Sequence, residues 1–493
     1  MVLHRPHPGE PALKRSAVLG LALTLLGAAA CGDTPEPPSK PPPKEPPIVV
    51  PPPRFDVVEP GEDKPGGDTS VARSGPTAFT QPAANLSLAR RSEFFVGESV
   101  FEADWVPAPG AQPERDGLGP VFHSVSCLAC HLGNGRGRPP EENEVADTLL
   151  VRLSVPGTGP HGEPVPEPTY GDQLQPRGVR QVPAEGQARM TWKDLPGTFA
   201  DGEPYTLREP QLELTNLAHG PMSPDTRTSA RVAQPMVGLG LLAAIPNETL
   251  VEWADPDDTN KDGVSGRVNR VWNQRRGHVT LGRFGWKANQ PDLEHQNAAA
   301  FLGDLGLTTS LFPQENCPPA QAACQAAPNG GTPEVSERQR LALDLYSHLV
   351  AVPTREGVDA PQVLQGKGVF HRVGCAKCHR PSVTTGTLEG YPELSGQRIW
   401  PYSDLLLHDL GEGLADGRED FLATGREWRT APLWGLGRTQ TVSGHTSLLH
   451  DGRARTPMEA ILWHDGEARS AKEAVRALPK AEREALLAFL GSL

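Results

Sequence analysis

The five residues Cys127-Leu128-Ala129-Cys130-His131 constrain this chain more than any other stretch, and they have a twin in Cys375-Ala376-Lys377-Cys378-His379. Two thiols at i and i+3 share one face of a helical turn. Each can add to one vinyl group of a haem while the adjoining imidazole reaches the iron as proximal ligand. A single four-thiolate zinc site is the competing reading, but zinc gives no reason for a His directly after both pairs. The motifs therefore predict two covalently bound c-type haems, attached through Cys127, Cys130, Cys375 and Cys378, with His131 and His379 on the irons.

The first residues read as an export signal. Lys14 and Arg15 precede an apolar run over 17–26, and Ala28-Ala29-Ala30 lead into Cys31. The run is short for a membrane span. A Cys after small residues resembles a bacterial lipoprotein cleavage site, although Ala28 stands where Leu is usual; a plain secretory signal with a free Cys is the alternative. The expectation is a lipidated Cys31 and an exported protein, periplasmic or anchored to the outer membrane, touching the membrane through its lipid alone. Of the seven cysteines, Cys317 and Cys324 then remain. In an oxidising compartment they are expected to form a local disulfide; metal binding is less favoured, with no His nearby.

Composition excludes some partners. The net charge of −13 over 493 residues argues against nucleic acid. It leaves room for a basic small redox protein, a c-type cytochrome or a cupredoxin, as electron donor. With 52 Gly, 53 Pro and 5% aromatic residues the chain is expected to be loop-rich, with short helices and little sheet. The organisation read from these signals is a signal peptide (1–30), then the anchor Cys and a Pro-rich tether (31–83). An N-terminal haem domain with insertions (84–345) and a C-terminal haem domain (346–493) follow. Helices are expected over 92–101, 232–245 and 480–490, and along Leu341, Leu345 and Leu349, whose i, i+4, i+8 spacing stops before Pro353. Thr148 to Leu153 reads as a strand, and the rest of 149–214 mostly as turns. Arg136 and Arg138, just after the first motif, are candidates for pairing haem propionates. Asp255, Asp257, Asp258, Asn260 and Asp262, closed by Gly263, suit a calcium loop in part; no Glu closes it, and a solvated Asx-rich turn is the alternative.

Beyond residue 90 the chain resembles the di-haem oxidoreductases related to bacterial cytochrome c peroxidase and MauG, in the branch labelled peroxidase or thiol oxidoreductase. The resemblance is carried by GLGPVFHSVSCLACH (117–131), YGDQLQ (170–175), GLGLL (238–242), GRFGWKA (282–288) and CAKCH (375–379). It continues in YSDLLLHDLGEGLADG (402–417), EWRTAPLWGLG (427–437) and LLHDGRARTPMEAILWHDGEA (448–468). It implies a mainly α, loop-rich pair of cytochrome-c-like haem domains, the first enlarged by insertions with minor β. It also implies a peroxidatic N-terminal haem and an electron-entry C-terminal haem. In relatives the second haem's distal ligand follows an element like His450-Asp451-Gly452-Arg453; fourteen residues after His450 stands His464. His408 and His450 compete for that role and rank lower on spacing. Trp286 resembles the Trp between the haems, Gln296 a pocket Gln, and Asp304 takes the place of the catalytic Glu. A carboxylate there would carry a proton between the two oxygens of peroxide. The chain departs from many peroxidases in having no further His soon after the first motif, which implies an open sixth position on the first haem. Leu410 stands where Met is common, and His123, where Asn is common, receives no role.

Three functions compete. The first is reduction of hydrogen peroxide; the second is MauG-like oxidation of an organic or protein substrate; the third is electron carriage without catalysis. An open iron beside an acid separates the first two from the third. Dithiol chemistry has no support, because no Cys is left over.

Overall fold

The computed structural model describes residues 55–141 and 144–493. The expected signal, the lipidated Cys31 and the first part of the expected tether, 31–54, lie outside the described residues. The rest of that segment is not a tether: Ala78, Phe79 and Ala83 are buried in the core, and bridges tie Val71 to Pro353 and Pro82 to Val350, so the folded part begins ahead of the expected residue 84. Helix α1, Leu88–Glu102, starts where the Ser87 side chain accepts the Arg90 amide, and it is longer than the 92–101 expected. Helix α2, Leu293–Leu305, is capped by Asp292 at its start and stopped by Gly306 in the left-handed region. Helix α3, Glu337–Leu349, opens on a reciprocal Ser336–Gln339 capping box. Its buried face includes Leu343, Tyr346, Ser347 and Leu349; of the expected leucine stripe, Leu345 and Leu349 pack on the core while Leu341 is exposed.

Helix α4, Pro361–Arg372, precedes the second Cys pair. Helix α5, Pro457–Trp463, ends at His464, and α6, Lys480–Ser492, closes the chain. One construction is met twice. α1 runs ahead of the first motif and crosses α3 behind it, and a Cβ on Gly97 would lie 2.1 Å from the Ala342 carbonyl. α4 runs ahead of the second motif and crosses α6, and a Cβ on Gly366 would lie 1.9 Å from the Ala485 carbonyl. Backbones that close admit only glycine. Phe94, Phe101, Phe301 and Tyr346 fill the core around the first crossing, and Phe370, Tyr402, Leu486 and Phe489 the core around the second.

The strands depart from expectation. β1, Leu149–Thr158, confirms the strand read at 148–153 and extends it. The stretch read as turns contains β2, Gln187–Thr198, and β3, Pro204–Thr215, paired antiparallel over twelve residue pairs. β4, Arg227–Val232, pairs antiparallel with β1. Its end occupies the start of the helix expected over 232–245, which is reduced to one turn at Leu239–Ala243. Helices take 29% and strands 18%: the chain is loop-rich, but its β content is not minor. A middle core of Leu149, Val151, Val232, Trp286, Trp428 and Trp463 joins early and late parts of the chain.

Candidate functional site

Two cavities of nearly equal size, about 210 Å³ and about 200 Å³, lie on either side of that middle core, one at each Cys-x-x-Cys-His motif. In the first, the single turn Cys127–Cys130 presents both sulfurs to the cavity. Burial, and then the Asp304 carboxylate, push both thiols up to about 12, so they stay protonated. The His131 Nδ1 donates to the Gln234 carbonyl at 2.7 Å, which leaves the lone pair on Nε2. Burial brings this imidazole down to about 4, so it is neutral, as a metal-ligating imidazole must be.

Asp304 faces the same cavity from the last turn of α2. Its carbonyl accepts the amides of His123 at 2.8 Å and Ser124 at 3.0 Å, tying it to the segment that leads into Cys127. Its carboxylate accepts the Gln173 side-chain amide at 3.1 Å, and burial raises its pKa above the usual carboxylate range. Gln296, two turns earlier on α2, also lines this cavity. His131 is the one imidazole among the described residues that does so.

The second cavity is built differently. The His379 Nδ1 donates to the Tyr402 carbonyl at 2.9 Å, and burial brings the ring down to about 4. Tyr402 holds a positive φ of 51°, a conformation that costs energy in a bulky residue. Its hydroxyl donates to Glu62 at 3.0 Å, and Glu62 is clamped by Arg355 and Lys367 at 2.7 Å each. A buried ion cluster thus fixes the carbonyl that aims His379. His464 lines the same cavity, with its Nδ1 donating to the Ala460 carbonyl at 2.6 Å. Burial lowers its pKa, so it too offers a neutral Nε2.

The competing imidazoles also reach this cavity. Both nitrogens of His408 are occupied, by Asp404 at 3.0 Å and Glu467 at 2.8 Å. Burial opposes its charge, but the Asp404 carboxylate outweighs it and raises the pKa well above the ordinary value. His450 stacks on Trp428 with ring centroids 3.8 Å apart. His123 is buried, but it lines neither cavity.

Trp286 lines both cavities, held by its indole N–H on the Val232 carbonyl at 2.9 Å. Arg136 and Arg429 share that dividing wall. Arg136 lies over the Trp286 ring and its Nε has no partner; burial pulls both guanidiniums down to about 10. Neither has a carboxylate within bonding distance. Arg138, the other propionate candidate, is taken by Glu144 through two bonds of 2.7 Å. The neutral imidazoles, the paired thiols and two buried, unneutralised guanidiniums fit a haem with its propionates in each cavity. Arg429 and Gln173 lay within the quoted stretches 427–437 and 170–175, but nothing in those stretches says which side chains face inward.

The acidic loop does not gather a metal site. The Asp255 carboxylate accepts from Thr259 and Asn260, and that of Asp258 from Asp262 and Gly263, all within the loop. Asp257 is exposed, and Asn260 and Asp262 cap later backbone amides. No group of three or more metal-ligating side chains of the His, Cys, Asp and Glu types occurs among the described residues. Cys317 and Cys324 are joined in a disulfide with Cα atoms 5.6 Å apart.

Comparison with known proteins adds three findings. A family described as "Di-haem oxidoreductase, putative peroxidase" matches residues 61–493. No curated protein matches. Among solved structures, hydrazine synthase of Kuenenia stuttgartiensis, pressurised with xenon, is similar at 14% identity and a TM-score of 0.33. That likeness covers 86% of this chain and 96% of the other, and at that score it carries no argument.

Proposed function

The chain belongs to the di-haem oxidoreductase family, and from that premise we propose that it is an exported di-haem peroxidase. It reduces hydrogen peroxide at the first cavity with electrons that enter at the second from a small c-type cytochrome or cupredoxin. The observation that carries this reading is the inequality of the two cavities. The first has one imidazole, His131, and a buried acid, Asp304. The second has two neutral imidazoles whose Nδ1 atoms are bound to carbonyls, His379 and His464. The repeated helix–motif–helix construction supports two cytochrome-c-like haem domains, 84–345 and 346–493. The two Cys-x-x-Cys-His motifs and the signal-like residues 14–31 support a periplasmic or outer-membrane-anchored enzyme, lipidated at Cys31.

When bound, the two haems would supply redox-active irons, held by His131 in the first cavity and by His379 and His464 in the second. The remaining chemistry belongs to the chain. Asp304 takes a proton from one oxygen of peroxide and delivers it to the departing one, work suited to a carboxyl whose pKa is raised by burial. Gln296 offers an amide to orient the substrate. Arg136 and Arg429 would pair with haem propionates, and Trp286 spans the wall between the cavities.

The test is steady-state oxidation of a reduced small c-type cytochrome by peroxide, using the protein matured with haem. Turnover that depends on both reactants is expected. Two low-spin ferric signals and no high-spin signal in electron paramagnetic resonance would sink the open-site reading and leave an electron carrier.

A further inference from the structure

Four arginines line the first cavity. Arg136 and Arg429 stand on the dividing wall. Arg231 is taken by Asp420 at 2.6 Å and Asp416 at 3.4 Å. Arg152 is the fourth, and it stands beside the helix end that carries Asp304.

The backbone puts it there. Side chains alternate along β1: Leu149, Val151 and Leu153 are buried in the middle core, while Leu150 and Arg152 turn the other way and line the first cavity. The 170–175 segment runs antiparallel beside them. The Leu153 amide donates to the Asp172 carbonyl at 2.8 Å and the Leu174 amide to the Val151 carbonyl at 3.0 Å, so Arg152 and Gln173 are bridge partners. Partners in such a bridge project from the same face. Gln173 donates to the Asp304 carboxylate at 3.1 Å. A Cβ on Gly303 would lie 3.8 Å from both Arg152 Nη1 and Nη2. The guanidinium thus lies against the residue before Asp304, while its bridge partner holds the Asp304 side chain. Burial raises the Asp304 pKa, and the Arg152 charge is the largest influence opposing it.

A single partner engages this guanidinium. Nη1 donates to Asp172 at 2.9 Å, and Nη2 and Nε meet no acceptor among the described residues. The Arg152 and Asp172 side chains are 24% and 44% exposed, and an ion pair that exposed is weak. It can release the arginine to a bound anion.

We propose that Arg152 is the anion-stabilising residue of the first cavity, donating to the departing oxygen of peroxide while Asp304 carries the proton. The assignment rests on the peroxide reading above. As the O–O bond breaks, its electron pair goes to the departing oxygen, which takes the proton from Asp304 and leaves as water. The remaining oxygen takes two electrons from two reduced donor proteins and two protons from solvent, and becomes the second water. A fixed guanidinium stabilises the negative charge on the departing oxygen before its proton arrives.

Fluoride is the probe that needs no turnover, because it binds ferric haem as an anion and accepts hydrogen bonds from its neighbours. In optical titrations of the haem-loaded protein, Arg152→Leu should lower fluoride affinity by about tenfold to a hundredfold, the scale of a lost charged hydrogen bond. Affinity for imidazole, a neutral ligand, should stay the same. Peroxide turnover in that variant should fall about a hundredfold. Arg152→Lys keeps the charge and should restore part of both; it also serves if Arg152→Leu folds poorly. Asp172→Asn frees the guanidinium and should leave fluoride affinity at or above that of the wild type. An unchanged fluoride affinity in Arg152→Leu overturns the assignment. Equal losses in Arg152→Leu and Asp172→Asn also overturn it, because the pair would then be a strap between strand and loop. A wild-type protein whose ferric haems bind no fluoride overturns the open first cavity, and the assignment with it. A protein that shows the expected fluoride pattern but never turns over peroxide overturns the peroxide reading, while the anion-binding role of Arg152 stands.

Discussion

Three cavity-lining imidazoles share one arrangement, in which Nδ1 is bound to a backbone carbonyl and burial keeps the ring neutral. They are His131 on Gln234, His379 on Tyr402 and His464 on Ala460. A carbonyl that fixes the tautomer aims the other nitrogen and raises its basicity. His464→Ala is therefore expected to turn the second haem high-spin and leave the first unchanged, read by optical and paramagnetic resonance spectra. An unchanged second haem would point to His450 instead. Asp304→Asn should leave both spectra alone and slow peroxide turnover by about a hundredfold. A rate within a few-fold of the wild type would remove Asp304 from the chemistry. The spacing after His450 pointed to His464, and the structure places that side chain in the second cavity. His408 was not separable there, because the carboxylates that occupy both its nitrogens come from positions 404 and 467. Arg138 looked equal to Arg136 until Glu144 was seen to hold it.

At the scale of elements, each of the two helix crossings depends on a glycine, Gly97 in one and Gly366 in the other. The Gly366 position has no room for a methyl group against a main-chain carbonyl, which cannot swing aside. Gly366→Ala should force α4 away from α6 and cost about 1–3 kcal/mol, the usual scale of overpacking, measured by chemical denaturation of the haem-loaded protein. A neutral result would mean that the two helices slide freely. Helices with caps and apolar spacing were legible in outline, as α3 and α6 show. The β2–β3 hairpin was not. Pro196 and Pro210 stand inside its paired strands, where proline argues against a strand, and what fixes the hairpin lies far along the chain. Arg483 of α6 reaches Asp201 at 2.8 Å and Glu203 at 2.5 Å at the hairpin tip, and Arg208 lies over Trp192 while donating to the Arg453 carbonyl at 2.9 Å. The 232–245 segment is helical only over Leu239–Ala243: Val232 pairs with Leu149, Pro235 cannot donate a helical bond, and Gly238 sits in the left-handed region just ahead of the turn.

At the scale of the whole molecule, buried titratable groups of opposite kinds set a stability optimum. His123, His348, His371 and His450 are each brought down to about 4 from 6.5, first by burial. The unfolded chain therefore binds more protons at these sites between those values, and stability is lost as pH falls below 6.5. Glu185 and Glu315 are pushed up to about 8 from 4.5, by burial first and, for Glu315, then by the neighbouring Glu334 carboxylate. Here the folded chain holds the extra protons, so their contribution is complete below 4.5 and is lost as pH rises towards 8. Asp344, raised to about 6, acts in the same sense but is spent before neutrality. Below 6.5 the four imidazoles outnumber the three carboxyls; between 6.5 and 8 the two glutamates act without that opposition. Stability should thus peak near pH 6.5 and fall on both sides, as read from denaturation midpoints at pH 5, 6.5 and 8. Glu315→Gln removes one raised carboxyl away from both cavities. It should flatten the alkaline decline and leave the acidic one intact. An alkaline limb as steep as in the wild type would show that the Glu315–Glu334 contact relaxes when it ionises.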